Sequence, residues 1–262
     1  MNYRRIFVTS SKGGVGKSTV TANLAFAFAA LGLRTLVVDF DLSNRSLDML
    51  FGCADRVLYD IGDLIDGTAE AKDVLLCHSK RLYFVPGYAV CKKAPARASF
   101  DAALKKLEAL TRADVVLIDT SGSADSSAKI AAKLSDAAIV VSTESAVSIR
   151  AAESSAALLA EAGVPQQWLV INRFRTSLFR GAQTAAVSEI IDRTRLPIIG
   201  LVPHSEYLAA EQEEGRLIAE SVHRDNCRAA FRNIARRLRG KSVPLFDGFS
   251  RMSDIKRRLL LR

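Results

Sequence analysis

Apolar and polar positions follow one another along this chain in two rhythms. Short apolar runs of strand length occur at Ile6-Phe7-Val8, Leu36-Val37-Val38, Leu82 to Val85, Val115 to Ile118, Ala137 to Ser142, Trp168 to Asn172 and Pro197 to Val202. Several are apolar at successive positions, which is how a strand covered on both faces reads. Between them lie stretches of helical period, at Val20 to Leu31, Tyr59 to Gly67, Phe100 to Leu110 and Val147 to Ala162. Alternation of the two kinds predicts parallel βαβ units, so the expected fold is one α/β domain with a mostly parallel sheet flanked by helices. Asn44 to Gly52 reads as a loop entering a short amphipathic helix, Tyr88 to Ala98 as a surface loop, and Ser121 to Ala124 as a flexible loop.

The rhythm changes near the end. From Arg224 to Arg239 a helical pattern places Cys227, Phe231, Ile234 and Leu238 on one face and Arg228, Arg232 and Arg236 on another, so this helix is expected to dock through its apolar stripe. Gly240 to Pro244 breaks the pattern. Beyond it, Phe246, Phe249, Met252, Ile255, Leu259 and Leu260 share one side of a helical wheel, while Arg251, Arg258 and Arg262 lie opposite and Lys256 intrudes. The expected organisation is a P-loop domain over 1–240 and a linker with an amphipathic tail over 241–262.

Charge sharpens this division. From Arg224 onward twelve Lys and Arg face three Asp and Glu, leaving +9, the formal net charge of the whole 262-residue chain. The preceding residues therefore balance to zero, and a cationic end on a neutral domain points to an anionic surface, lipid headgroups or nucleic acid. No apolar run approaches the ~18 residues of a membrane span, and the first strand begins almost at once, so a cytoplasmic protein is expected. Cys53, Cys77, Cys91 and Cys227 are scattered, with no C-x-x-C pair, and predict neither a zinc site nor a disulfide framework. His78, His204 and His223 read as surface or loop histidines.

The stretch that carries chemistry is Ser10-Ser11-Lys12-Gly13-Gly14-Val15-Gly16-Lys17-Ser18-Thr19, set between the first strand and the first helix. A glycine-rich turn in that context lets successive backbone N–H groups face phosphate oxygens, and the following helix presents its positive end to the same anion. Lys17 would reach the β- and γ-phosphates of a nucleotide, and Ser18 would ligate Mg²⁺. The second run ends in Asp39-Phe40-Asp41, at the sheet edge where ligands of open α/β folds bind. Asp39 would serve Mg²⁺ or its waters, and Asp41 would orient a water. Asp114 to Thr120 reads as a Walker-B-like strand closing on Asp119. Asn172, Arg173 and Pro203, at the ends of two later strands, lie where a bound base would be met.

Lys12 to Thr19, with its additional early lysine, resembles the deviant Walker A motif of the MinD/ParA ATPases. Val38 to Gly52, Val57 to Asp60, Leu169 to Arg173 and Gly200 to Pro203 are similar to the MinD branch. The resemblance covers nearly the whole chain. It implies an ATPase that dimerises face to face around two ATP molecules, with Ser11 to Thr19 at the nucleotide and Lys12 reaching the partner's phosphates much as an arginine finger does. On that pattern Lys12, Lys17 and Asp41 act in catalysis, Ser18, Asp39 and Asp119 serve Mg²⁺, and Asn172, Arg173 and Pro203 contact adenine. One departure stands out: the family usually continues after the Asp119 position with Pro-Ala-Gly, whereas this chain has Thr120-Ser121-Gly122-Ser123, which bears on hydrolysis and its stimulation.

The tail selects among readings. A basic amphipathic segment suits the plane of an anionic membrane, and the MinD branch ends in a similar targeting helix. One short helix binds weakly because it must also fold, but two tails on one ATP dimer gain roughly 10²- to 10⁴-fold in avidity. The expectation is a slow, partner-stimulated ATPase of the MinD type that acts in septum placement, peripheral on the inner face of the cell membrane, with regulatory partners like MinC or MinE. The alternatives are a ParA-like partition ATPase that binds DNA nonspecifically, and a nucleotide-binding scaffold with weakened catalysis. The apolar face of the tail favours lipid, since phosphate contacts on DNA need charge and no greasy stripe. An iron–sulfur branch is disfavoured by the lack of any cysteine between Cys91 and Cys227.

Overall fold

The computed structural model describes residues 3–42, 45–90, 93–122, 125–175, 184–218, 220–221 and 225–245. The expectations placed on Asn44, Cys91, Ser123, Ala124 and His223, and on the tail residues Phe246, Phe249, Met252, Ile255, Leu259 and Leu260, lie outside the described residues.

Eight strands form one sheet: β1 (Arg5–Thr9), β2 (Thr35–Asp39), β3 (Leu76–Ser79), β4 (Leu82–Val85), β5 (Val115–Asp119), β6 (Ala137–Ser142), β7 (Gln166–Phe174) and β8 (Ile198–Pro203). Their order is β3-β4-β2-β5-β1-β6-β7-β8, and every pair is parallel except β3 with β4. The α/β expectation therefore holds. β2, β5, β6 and β8 are buried at every position, because helices cover both faces of the sheet. β3 was not foreseen: its four residues alternate between half-buried and exposed and pair only along one edge, so no apolar run marks it.

The helices are α1 (Lys17–Ala30), α2 (Leu47–Leu50), α3 (Ile61–Asp66), α4 (Arg97–Thr111), α5 (Ser126–Lys133), α6 (Ala146–Ala162), α7 (Thr184–Thr194), α8 (Glu206–Glu213) and α9 (Asn226–Leu238). Asp60 caps α3 in a reciprocal capping box with Asp63, and Gly67 ends it in the left-handed region, which explains why its limits were readable. α5, α7 and α8 were not foreseen as helices. α9 docks as expected, burying Cys227, Phe231, Ile234 and Leu238. It lies against β8 where Gly200 leaves room: a Cβ there would come within 2.2 Å of Ile234 Cγ1.

Asn23, which interrupts the apolar run of α1, is 2% exposed. Its amide nitrogen donates to the Thr19 carbonyl at 3.0 Å, and its oxygen accepts from the Ile218 N–H at 3.1 Å. A buried polar side chain requires such partners, and here they pin the segment after α8 to the first helix. His78 also departs from a simple surface role. It lies on β3, packs edge-on against Phe51 and meets Glu220 Oε1 at 2.9 Å.

Candidate functional site

Strand register brings the chemistry together. β1 lies in the middle of the sheet, and Val8 pairs with Asp119 while Asp39 pairs with Asp119 from the other side. Three parallel strands thus deliver the glycine-rich turn and two aspartates to one sheet edge, where the strand order reverses about β1 and a crevice opens. A cavity of about 720 Å³ occupies this place. Lys12 to Thr19, Asp41 and Arg173 line it, together with Ser46, Met49, Leu50, Gly122, Gln212 and Glu213 among others.

Behind the cavity wall sits a compact polar cluster. Asp119 Oδ2 accepts from Lys17 Nζ at 2.8 Å and from Ser18 Oγ at 2.7 Å, and its Oδ1 accepts from Thr21 Oγ1 at 2.8 Å. Lys17 is 8% exposed and Asp119 is 1% exposed, so the pair is nearly dry and each charge depends on the other. Asp39 is as deeply buried, yet its Oδ2 has no hydrogen-bond partner among the described residues. Its Oδ1 accepts from the Asp41 N–H at 3.0 Å. Burial foremost, and then the nearby Asp119 carboxylate, push Asp39 up to about 8. A buried carboxylate with an orphaned oxygen beside a second carboxylate and a serine hydroxyl fits a divalent cation. Mg²⁺ is such an ion, held by one or two carboxylates together with substrate phosphates and waters.

The glycine-rich loop is shaped from two sides. Gly16 has φ of +87°, and a Cβ there would fall 2.2 Å from Asn172 Nδ2, an atom that donates to the Val15 carbonyl at 2.9 Å. Both the backbone region and the close approach demand glycine. From the other side, Gly122 presses on the loop: a Cβ on it would sit 3.0 Å from Cα and N of Gly13. The segment Ser121-Gly122, expected to be flexible, is packed instead, with Ser121 5% exposed. Gln212 reaches in from α8, donating from Nε2 to Thr19 Oγ1 at 2.6 Å.

The expected base-contacting residues are placed differently from one another. Arg173 faces the cavity with φ of +54°, at a point where pairing between β7 and β8 shifts register. Asn172 is 2% exposed and holds the loop. Pro203 is buried, and its carbonyl accepts the Cys227 thiol at 3.3 Å. Ser11 Oγ is bonded to Ser155 Oγ of α6 at 2.8 Å rather than facing the cavity. Lys12 Nζ, at the cavity mouth, donates to Ser148 Oγ of α6 at 3.2 Å. Sequence reasoning missed Thr21, Ser148, Gln212 and Met49. Gln212 lies 193 positions from its partner Thr19, and no spacing signal links them.

Comparison with known proteins agrees with this geometry. A family model for ParA, described as NUBPL iron-transfer P-loop NTPase, matches residues 3–239. The septum site-determining protein MinD of Bacillus subtilis (strain 168) is 34% identical over 92% of this chain and 90% of its own length. Among solved structures, the MinC:MinD cell division protein complex of Aquifex aeolicus superposes with a TM-score of 0.82, at 28% identity over 92% of this chain and 98% of that one. MinD complexed with Mg-ADP from Pyrococcus horikoshii OT3 shares the fold at a TM-score of 0.76 and 24% identity, over 90% of this chain and 95% of that one. With its loop, strand-end aspartates and sheet order all of that kind, the chain belongs to the ParA/MinD family of P-loop NTPases.

Proposed function

We propose that this chain is an ATP-hydrolysing switch of the MinD type, which dimerises around ATP, attaches to the inner face of the cell membrane through its C-terminal tail and takes part in septum placement. The observation that carries the reading is the pair of lysines at the two ends of one loop. Lys17 is buried against Asp119, whereas Lys12 stands at the cavity mouth and, among the described residues, has only a serine hydroxyl on its ammonium.

ATP brings more negative charge than Asp119 supplies, so Lys17 would turn from the carboxylate to the β- and γ-phosphates. Ser18, Asp39 and Asp119 would hold Mg²⁺, which when bound neutralises charge on the phosphate oxygens. Asp41 faces the cavity, where its carboxylate would orient the attacking water. Arg173 would meet the base, and Asn172 keeps the loop in place through Val15. Lys12 would exchange Ser148 for the phosphates of a second copy, stabilising charge that develops during phosphoryl transfer. The relatives' printed names, a MinC:MinD complex and a Mg-ADP complex, support a regulatory partner like MinC and a Mg-nucleotide ligand. Among the described residues no helix is long and apolar enough to cross a membrane; attachment is assigned to the tail on its basic amphipathic pattern.

The test uses the full chain with Mg-ATP and with Mg-ADP. Light scattering should report twice the single-chain mass with ATP only, and sedimentation should show ATP-dependent binding to anionic vesicles. Leu259→Asp with Leu260→Asp should strongly weaken the second result and leave the first, and Lys12→Ala should abolish phosphate release. A single copy under saturating Mg-ATP would overturn the reading.

A further inference from the structure

We propose that the outer face of α9 is a second membrane-contact surface, one that lies against anionic phospholipid headgroups beside the tail; this rests on the reading of the tail given above. Arg228, Arg232 and Arg236 are exposed and spaced four apart, so they form one stripe about 12 Å long on the helix. Exposed Arg239 and Lys241 continue it. Some cations elsewhere on the molecule are neutralised by carboxylates: Arg5 by Asp101 and Glu108, Arg34 by Asp114, and Arg193 by Glu153. Among the described residues none lies within ion-pair distance of the five cations of this stripe. The nearest acid in sequence, Asp225, caps the helix by accepting the Cys227 N–H and bonds to the Ser205 hydroxyl.

Two features select lipid over nucleic acid. A groove of about 640 Å³ opens between α1 and α9 beside Arg228 and Arg232; Phe26, Ala27, Leu31 and Phe231 give it a mostly apolar wall, with Asp225, already engaged as the helix cap, at its polar end. Cations rimming an apolar groove suit a headgroup phosphate above hydrocarbon, whereas a duplex backbone needs the charge alone. The second feature is where the chain leaves the domain. Asn233 Nδ2 donates to the Pro244 carbonyl at 3.2 Å, an Arg237 guanidinium N–H donates to the Val243 carbonyl at 2.7 Å, and Leu245 is buried. The described chain therefore ends at Leu245 alongside α9, on the helix that carries the arginine stripe.

The helix is already folded, seated on β8 at Gly200, so its contacts carry none of the ordering cost that a short free segment meets. Each cation near an anionic leaflet strengthens attachment about fivefold, so removing three should weaken it by about 100-fold.

The experiment compares three full chains with Mg-ATP: the parent, Arg228→Gln with Arg232→Gln and Arg236→Gln, and Leu259→Asp with Leu260→Asp. Each is titrated with phosphatidylcholine vesicles containing phosphatidylglycerol and, separately, with duplex DNA. Thermal unfolding and ATP binding of the arginine variant should match the parent, since the three side chains are exposed. The proposal expects its vesicle affinity to fall at least about tenfold. It also expects the leucine variant to keep a weak, salt-sensitive attachment that vanishes when the arginine changes are added. Vesicle binding equal to the parent's in the arginine variant overturns the proposal and leaves the functional reading intact. Loss of DNA binding with lipid binding unchanged overturns it in favour of nucleic acid. A parent chain that ignores vesicles removes both readings together.

Discussion

The departure from the family pattern after Asp119 can be tested with one methyl group. Gly122→Ala would place a Cβ 3.0 Å from Cα and N of Gly13 and 3.3 Å from the carbonyl carbon of Lys12. Carbon atoms in good contact lie roughly 3.5–4.0 Å apart, so each approach is several tenths of an ångström too close. The atoms met are backbone, and no rotamer change relieves them; the phosphate loop itself has to move. Overpacking of this kind costs about 1–3 kcal/mol, and the open cavity on one side favours the lower part of that range. For a chain of 262 residues, Tm should fall by roughly 2–8 °C. ATP affinity should fall at least about tenfold, since its backbone N–H groups leave their places around the phosphates. Gly13→Ala is the control, because a Cβ there meets nothing within 4 Å and φ is not positive; its Tm should stay within about 2 °C of the parent. Scanning fluorimetry and titration with a fluorescent ATP analogue read both quantities. Parent-like values for Gly122→Ala, or an equal fall in Tm from Gly13→Ala, would refute the claim that the loop after β5 props the phosphate loop.

Other consequences follow from the packing. Asp119→Ala leaves the buried Lys17 ammonium without its counter-charge and should destabilise the nucleotide-free chain by about 3–5 kcal/mol in denaturant unfolding; a cost under about 1 kcal/mol would show the pair to be solvated. Gly200→Ala drives a methyl into Ile234 and should cost about 1–3 kcal/mol, while Ile234→Ala costs about 2–5 kcal/mol alone. The double variant should be less damaged than the sum, and strict additivity in that cycle would deny the contact. The hydrogen bond from His78, the foremost cause, holds Glu220 below the usual carboxylate range. Its stabilisation is therefore present above the unfolded value of about 4.3 and fades as pH falls through the folded one. Between about pH 5 and pH 3 the parent should lose Tm faster than Glu220→Gln, and parallel pH profiles would count against the link between β3 and residue 220.

The phosphate loop, the central strands and the two strand-end aspartates were legible because each is written locally. Glycines at fixed offsets, four or five apolar residues in succession and a terminal carboxylate need no distant partner to be recognised. The same holds for α9, whose apolar stripe and arginine stripe are visible on a helical wheel and were found buried and exposed as expected. Edge strand β3 was not legible, since one-sided pairing asks for no apolar pattern. α5 and α8 were missed because each is only eight residues long with few large apolar residues to set a period, although Ala, Lys, Glu and Gln favour the helix.

The amino-acid order alone determined the family, the order of strands and helices around the loop, and the concentration of positive charge at the end of the chain. Only the tertiary structure decided how the site is assembled: that Lys17 lies on Asp119, that Asn172 braces the loop while Arg173 faces the cavity, and that Gln212 closes on Thr19. The reason is one of range. Motifs record what neighbouring residues can do within a turn or a strand, whereas these contacts join positions about a hundred or more residues apart, set by sheet register and by which side chains share buried space.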